Sequence, residues 1–534
     1  MSDAFVQRAA PACSLGRAPW RLCWGLGAVL LSLASPAGTA CAAEATSPTA
    51  TDERIQAVIP DVEKYIESGM QSFDVPGLTV GIVANDRLVY AKGFGATKKQ
   101  GGSPVDTHTL FQIGSTTKAF LAATMAIMVD RKKLAWNARV AELDPDFQLM
   151  DPWVTREFRV YDLLAQRSGL PPYVNDTFGV LGFDEPALIR SLRTVRPVSS
   201  FRSTFAYTNV THMLAGRVVA KAAGLADWNQ VLETLLLSPL GMKETSYTAA
   251  AIEASSNHAE GHRWTPEGTV QVPFTELFPY GFAGAGDINS NVADLAHWLR
   301  MQLGNGTFEG QQIVSAGNLA LTRVPRVGIT DKVSYAMGWV IRQSDNGTVV
   351  WHNGGTSAFG AYIGMIPARG VGIVVLTNEV NIGLPDAVGA WTLDRILDNP
   401  PVDYAANSLE HARESADESG KRFARPANPR PFPPTAPLAG EYASAAFGKA
   451  GVTAEGDALI VVLRGTGAKL KLEPWDGDIF TAKLIGEGRF APVVADAGPL
   501  PDAFAQFVGN KNGHLTVLRF TTEDGQAYAF RRAE

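Results

Sequence analysis

An α+β fold followed by a small all-β module is the architecture this 534-residue sequence predicts. Three observations carry it. Two β-rich runs lie near the N-terminus and four more lie within 336–377, with mostly helical periodicity between them. One antiparallel sheet is therefore built from both ends of that region, flanked by helices, with a helical region inserted. The pattern then dissolves over 399–437, where Pro426, Pro429, Pro431, Pro433, Pro434 and Pro437 make a semi-rigid linker. Beyond it, short strand-like runs alternate with Gly, Asp and Asn turns, as in a small barrel or sandwich.

The elements follow in order. Residues 52–72 have helical spacing, with Ile55, Val58, Ile59, Val62, Tyr65 and Ile66 on one side. The runs 77–83 and 88–93 flank Asn85-Asp86 and read as a hairpin. A helix opens near Ser115 and continues through the apolar run 119–128. Residues 134–158 are loop-rich, and 160–164 lead into Arg167-Ser168-Gly169-Leu170-Pro171-Pro172, which ends that segment. Helices are predicted over 210–223 and 228–237, and Asn291 is placed to cap another over 292–303. The runs 336–342, 348–352, 360–366 and 372–377 form an antiparallel meander, and 388–397 a closing helix. In the tail, strands are read at 458–464, 469–472, 480–484, 515–521 and 527–531.

Composition narrows the function. Hydrophobic residues make up 46% and charged residues 19%, as in ordinary globular protein. The net charge of -6 and the absence of a basic cluster exclude nucleic acid as a partner. Residues 1–42 read as a signal peptide: Arg8, Arg17 and Arg21, then an apolar run too short to span a bilayer, then Ala40-Cys41-Ala42. The expectation is an exported protein, periplasmic or secreted, with no membrane span. All three cysteines, Cys13, Cys23 and Cys41, fall in this segment. Cleavage after Ala42 leaves no disulfide, thiol nucleophile or cysteine-ligated zinc. Gly38-Thr39-Ala40-Cys41 also resembles a lipoprotein box without its usual leading aliphatic residue, so lipid anchoring through Cys41 is the alternative.

Three motifs carry chemistry. Gly114 permits a sharp turn, Ser115 suits a helix start, and Lys118 stands one turn further on the same face. A lysine-activated serine nucleophile needs this arrangement, though a capping serine beside a solvated lysine has the same spacing. Tyr207-Thr208-Asn209 adds a phenol to carry a proton and an amide to orient the lysine, both on one side of an extended segment. Tyr173-Val174-Asn175 has the same spacing, but Tyr207 stands between an extended run and a helix. Trp351-His352-Asn353-Gly354-Gly355-Thr356 ends a strand in a tight turn. There the N–H of Gly355 can join that of Ser115 as an oxyanion hole, with His352 facing the pocket.

In this order the motifs resemble the serine β-lactamase and penicillin-recognising superfamily. They are most similar to its class C-like hydrolases, which include D-aminopeptidases, D,D-carboxypeptidases and esterases. The resemblance spans about 52–398. It also rests on Asp162-Leu163-Leu164, Ser168-Gly169-Leu170-Pro171, Pro239-Leu240-Gly241-Met242, Gly284-Ala285-Gly286-Asp287 with Asp294-Leu295, and Leu376-Thr377-Asn378. The tail, 438–534, resembles the lipocalin-like module often joined to these enzymes, through Leu438-Ala439-Gly440-Glu441-Tyr442 and Leu472-Glu473-Pro474-Trp475.

The resemblance implies a β-lactamase-like sheet and acyl transfer without cofactor or metal. Ser115 attacks, Lys118 and Tyr207 share the proton, Asn209 orients, and His352, Gly354 and Gly355 border a small-molecule or short-peptide substrate. None of the eight histidines lies in a His-Glu-x-x-His frame. One departure bears on substrate: His352-Asn353-Gly354 stands where β-lactamases usually carry Lys-Thr-Gly, so a permanent cation for a β-lactam carboxylate is missing. Esters or D-residue peptides are favoured. A low-efficiency β-lactamase and a non-catalytic penicillin-binding sensor are the alternatives, and the oligomeric state is open.

Overall fold

The computed structural model describes residues 48–509, 515–522 and 525–533. The expected signal peptide, with Cys13, Cys23 and Cys41, lies outside them. Helix α1 (Pro48–Phe73) leads into the hairpin β1 (Gly77–Ala84) and β2 (Arg87–Gly95). Asn85 and Asp86 both sit at positive φ, 50° and 58°, which matches the twist of a two-residue hairpin turn. Next come α2 (Thr117–Asp130), the short α3 (Asp176–Val180), α4 (Val210–Ala223) and α5 (Val292–Leu303). The Asn291 side chain accepts from Asp294 N at 2.9 Å and caps α5.

The remaining strands of the first sheet are β3 (Val327–Gly328), β4 (Val333–Tyr335), β5 (Val340–Ser344), β6 (Gly347–Gly355), β7 (Gly360–Ile366) and β8 (Val371–Thr377). Their order is β2-β1-β8-β7-β6-β5-β4-β3, antiparallel throughout. Strands β1, β7 and β8 are buried at every position, so both sheet faces are covered. Val80, Ile82, Ile373 and Val375 pack toward α1 and the closing helix α6 (Leu384–Leu397). Ile363, Met365, Val374 and Leu376 face the other way, into the core that holds α2 and α5. Twelve of the fourteen residues of α2 are buried, so this helix is the axis of that core. Phe120 stacks on Trp298 of α5 at 3.9 Å between ring centroids.

Two sequence expectations need correction. The run 336–342 is not one strand: β4 and β5 are separated by a turn at Gly338, φ 75°. A Cβ at Gly338 would come 2.5 Å from Lys118 O, so the turn packs directly on α2. The linker assigned to 399–437 contains α7 (Tyr404–Phe423). Asp403 accepts from Ala406 N at 3.1 Å and caps it, and Ala405 and Leu409 join the core beside α1 and α6.

The tail is a closed eight-stranded barrel in simple up-and-down order. Its strands are β9 (Gly440–Ser444), β10 (Gly448–Glu455), β11 (Ala458–Leu463), β12 (Lys469–Asp476), β13 (Ile479–Leu484), β14 (Ala503–Gly509), β15 (Leu515–Thr522) and β16 (Ala527–Arg532). Tyr442 opposite Arg532 closes the ring. A helix, α8 (Ala491–Ala497), interrupts the β13–β14 connection. The barrel docks on the first domain through Phe447, stacked on Phe178 of α3 at 3.3 Å, with Tyr528 edge-on at 4.6 Å.

One buried carboxylate ties the segment 159–167 to Arg202. Asp162, fully buried, accepts from Arg167 Nη2 at 2.9 Å, Arg202 Nη2 at 2.6 Å and Arg159 N at 3.0 Å. Arg167 thereby has a structural role. Asp162→Ala removes the carboxylate that Arg167 and the partly exposed Arg202 share, leaving them Arg326 O and Glu157 O, and is expected to cost about 2 kcal/mol in urea unfolding. A loss below about 1 kcal/mol would mean that the arginines find other partners.

Candidate active site

The site begins where Phe111–Gln112 pairs with Asn289–Ser290 and the chain turns at Gly114, φ 50°. A 3-10 turn over Gly114–Thr116 then runs into α2. A Cβ at Gly114 would approach Gly355 N to 2.8 Å, and one at Gly354 would reach Ile113 O at 2.0 Å. Two glycines thus allow the end of β6 to lie against the serine turn. The N-caps of the 3-10 turn and of α2 are Ile113 and Thr116 rather than Ser115, whose hydroxyl accepts from Lys118 Nζ at 3.0 Å.

Lys118 is fully buried, and its three ammonium hydrogens are taken by Ser115 Oγ, Asn209 Oδ1 at 2.8 Å and Ala285 O at 2.7 Å. The orientation of the Asn209 amide is fixed from its other end, where Nδ2 donates to Asp176 Oδ2 at 2.6 Å. Its oxygen must therefore face the lysine. Burial pulls the amine down to about 7, against the opposing pull of Asp176 and Asp287. Asp287 receives Gly284 N at 2.8 Å and Trp228 Nε1 at 3.0 Å, which holds the turn presenting Ala285 O.

When Lys118 is neutral, two N–H groups satisfy the obligate acceptors on Asn209 and Ala285. The lone pair then points at Ser115. Tyr207 is different. Its ring lies 4.8 Å from Nζ, and burial, then Tyr335, raise its phenol well above the usual value. Contact with the Ser115 hydroxyl only partly offsets this. Near neutrality the phenol keeps its proton and the lysine can give one up.

His352 is buried. Its Nδ1 lies 2.6 Å from Asn353 O and so carries the hydrogen, leaving Nε2 to accept from Tyr335 Oη at 3.0 Å. Burial, then the charge of Lys118, push the imidazole down to about 3. It is neutral at every physiological pH, so this corner carries no cation. Asn175, the competing amide, donates instead to Ser191 Oγ at 2.5 Å, whereas Tyr173 borders the cavity with its ring 5.5 Å from that of Tyr207.

Ser115, Tyr207, Asn209, His352 and Gly355 line one cavity of about 960 Å³. Sequence reasoning passed over three supports. Gln166 Oε1 receives both Thr208 N at 2.7 Å and Thr208 Oγ1 at 3.0 Å, fixing the residue between Tyr207 and Asn209. Asp176 orients Asn209, and Tyr335 holds His352. Only the Gly284-Ala285-Gly286-Asp287 turn left a local signal in the sequence.

Asp176→Ala frees the Asn209 amide to rotate. The rate at which a fluorophosphonate labels Ser115 is expected to fall about 10- to 100-fold, with the circular dichroism unchanged. An undiminished rate would mean that Asp176 does not orient the amide.

Comparison with known proteins gives the family and the fold. Residues 62–397 match the Beta-lactamase family, and 424–532 match a domain of unknown function, DUF3471. The unguisins hydrolase ungD' of Aspergillus campestris is 27% identical over 405 residues, 72% of this chain and 74% of that protein. Penicillin-binding protein 4 of Amycolatopsis lactamdurans is 26% identical over 381 residues, 69% of this chain and 93% of its own. Two solved structures share the fold at 22% identity. The octameric penicillin-binding protein homologue from Pyrococcus abyssi has a TM-score of 0.58, covering 89% of this chain and 100% of that one. A class C β-lactamase from Rhodobacter sphaeroides has a TM-score of 0.51, covering 67% and 99%. Over 62–397 the chain therefore belongs to the Beta-lactamase family, with a DUF3471 domain behind it.

Proposed function

We propose that this protein is an exported serine hydrolase cleaving small esters or D-residue peptides and amides through an acyl-enzyme on Ser115. The observation that carries the reading is Lys118 Nζ, 3.0 Å from Ser115 Oγ and brought down to about 7 by burial. Neutral Lys118 takes the serine proton as Oγ attacks the substrate carbonyl. The N–H groups of Ser115 and Gly355 hold the oxyanion of the tetrahedral intermediate. Tyr207 gives its proton to the leaving group and regains one from the Lys118 ammonium. Water then enters, loses a proton to the same base, and releases the acid.

The cavity's charge favours substrates without a carboxylate. Among the described lining residues Arg263 is the single arginine or lysine, against Asp176, Glu267, Asp496 and Asp502. With His352 neutral, the strand end at Gly354 offers the carboxylate of a β-lactam no cation. Low-efficiency β-lactamase activity is the second reading, which the family membership favours. A non-catalytic penicillin-binding sensor is a third, which the relative named penicillin-binding protein 4 brings in. The relative named for hydrolysing unguisins supports the enzyme.

Two measurements test the chemistry. p-Nitrophenyl esters and D-alanyl anilides are expected to turn over faster than a chromogenic cephalosporin; the reverse order would reinstate the β-lactamase. Ser115→Ala should lose every phosphonate adduct in intact mass spectrometry, and a wild type without adduct would favour the sensor.

The pH dependence follows from the lysine. Its neutral form is the base, so kcat/KM is expected to rise about tenfold per pH unit below about 7 and level off above it. A profile flat from pH 5.5 to 8.5 would contradict that role. Export belongs to the same proposal: N-terminal sequencing of the mature protein should begin at Ala43, and a lipidated Cys41 would show anchoring instead.

A further inference from the structure

We propose that the open end of the C-terminal barrel is the distal half of the substrate cavity, holding the apolar end of a long or bulky acyl group. The inference rests on the reading of Ser115 as nucleophile and adds the substrate class. The cavity that contains Ser115 does not stop at the edge of the first domain. It continues to Leu463, Leu470, Leu484, Ala503, Phe520 and Phe530 of the barrel.

Topology places five of the six at one rim, and Phe530, paired with Leu518, lies a step deeper. Leu463 ends β11 and Leu484 ends β13, while Leu470 opens β12 and Ala503 opens β14. Phe520 lies near the end of β15, and Phe530 faces it edge-on at 6.0 Å from β16. Register agrees: Leu470 is opposite Leu484, and Ala503 lies between Ala482 and Thr522. These are inward-facing positions, between 0% and 8% exposed.

Deeper in the barrel, Leu459, Leu472, Phe480, Phe507 and Leu518 fill the interior, as in small eight-stranded barrels. The rim is thus a shallow apolar cup rather than a channel. Its mouth is held over the cleft by the β13–β14 connection. Asp496 of α8 lies beside Ser357, two residues past Gly355, and near Arg263. A Cβ at Gly498 would come 3.1 Å from the Arg263 guanidinium, so the connection packs closely on the first domain. At about 960 Å³ the joined space lies at the upper end of small-molecule sites, larger than an acetyl group needs. A carbonyl at Ser115 with an apolar chain reaching the cup uses both halves.

The test is a p-nitrophenyl ester series on the full-length protein. From acetate to octanoate, kcat/KM is expected to rise at least about tenfold, because each added methylene leaves water. Ala503→Phe fills the cup, and Leu470→Gln makes its rim polar. Each is expected to lower the octanoate-to-acetate ratio about tenfold.

A wild type that prefers acetate, or folded variants with the wild-type ratio, would overturn the cup. If both variants misfold, the wild-type series decides alone. If no ester is hydrolysed and no phosphonate labels Ser115, the nucleophile reading fails separately. The cup is then read by the neutral apolar dye Nile red. Dye binding that Ala503→Phe removes supports it, and no binding overturns it.

Discussion

The Lys118 amine lies out of water, where an unpaired ammonium would cost several kcal/mol. Its three acceptors come from three separate parts of the chain: the start of α2, the start of α4, and the turn before α5. Keeping one amine satisfied therefore fixes Ser115, Asn209 and Ala285 relative to one another. The same dryness sets the chemistry. Burial lowers the lysine to about 7, while Asp176 and Asp287 limit the fall. Each carboxylate also positions one of the acceptors, Asp176 through the Asn209 amide and Asp287 through the turn at Gly284.

The second constraint is backbone proximity. Gly354 and Gly355 can lie against Ile113 and Gly114 only because Gly354 and Gly114 lack side chains, the added Cβ atoms falling at 2.0 and 2.8 Å. The nucleophile turn and the sheet edge are therefore one unit. Gln166 ties the Tyr207–Asn209 segment to the loop that Asp162 anchors. The barrel reaches this unit from the other side, through Phe447 on Phe178 and Asp496 beside Ser357. A domain outside the Beta-lactamase match thus walls the cavity that contains Ser115.

Much of this was legible in the residues. The apolar run 119–128 announced the helix that the structure buries on all sides, and the turns around 346–370 set off β6, β7 and β8. The spacing of Ser115, Lys118, Tyr207 and Asn209 anticipated side chains that do converge. What failed has physical causes. The segment Tyr404–Phe423 is polar overall, and its stripe, Ala405, Leu409, Ala412, Ala416 and Phe423, is thin and mostly alanine, so it was passed over.

Strands β9, β10 and β14 are rich in Gly and Ala, and their pairing comes from barrel closure rather than local propensity. Asp176, Gln166 and Tyr335 act through partners 33, 42 and 17 residues away, and no local pattern records such contacts. The strand expected over 336–342 broke at Gly338 because α2 stands in its path.

The central claim is that the fold holds Lys118 ready to lose its proton near neutrality. Titrating the protein labelled with 13Cε-lysine, and assigning Lys118 by the signal that Lys118→Met removes, measures this directly. The expected result is a midpoint near 7. A midpoint above about 10, where an ordinary lysine titrates, would contradict the account.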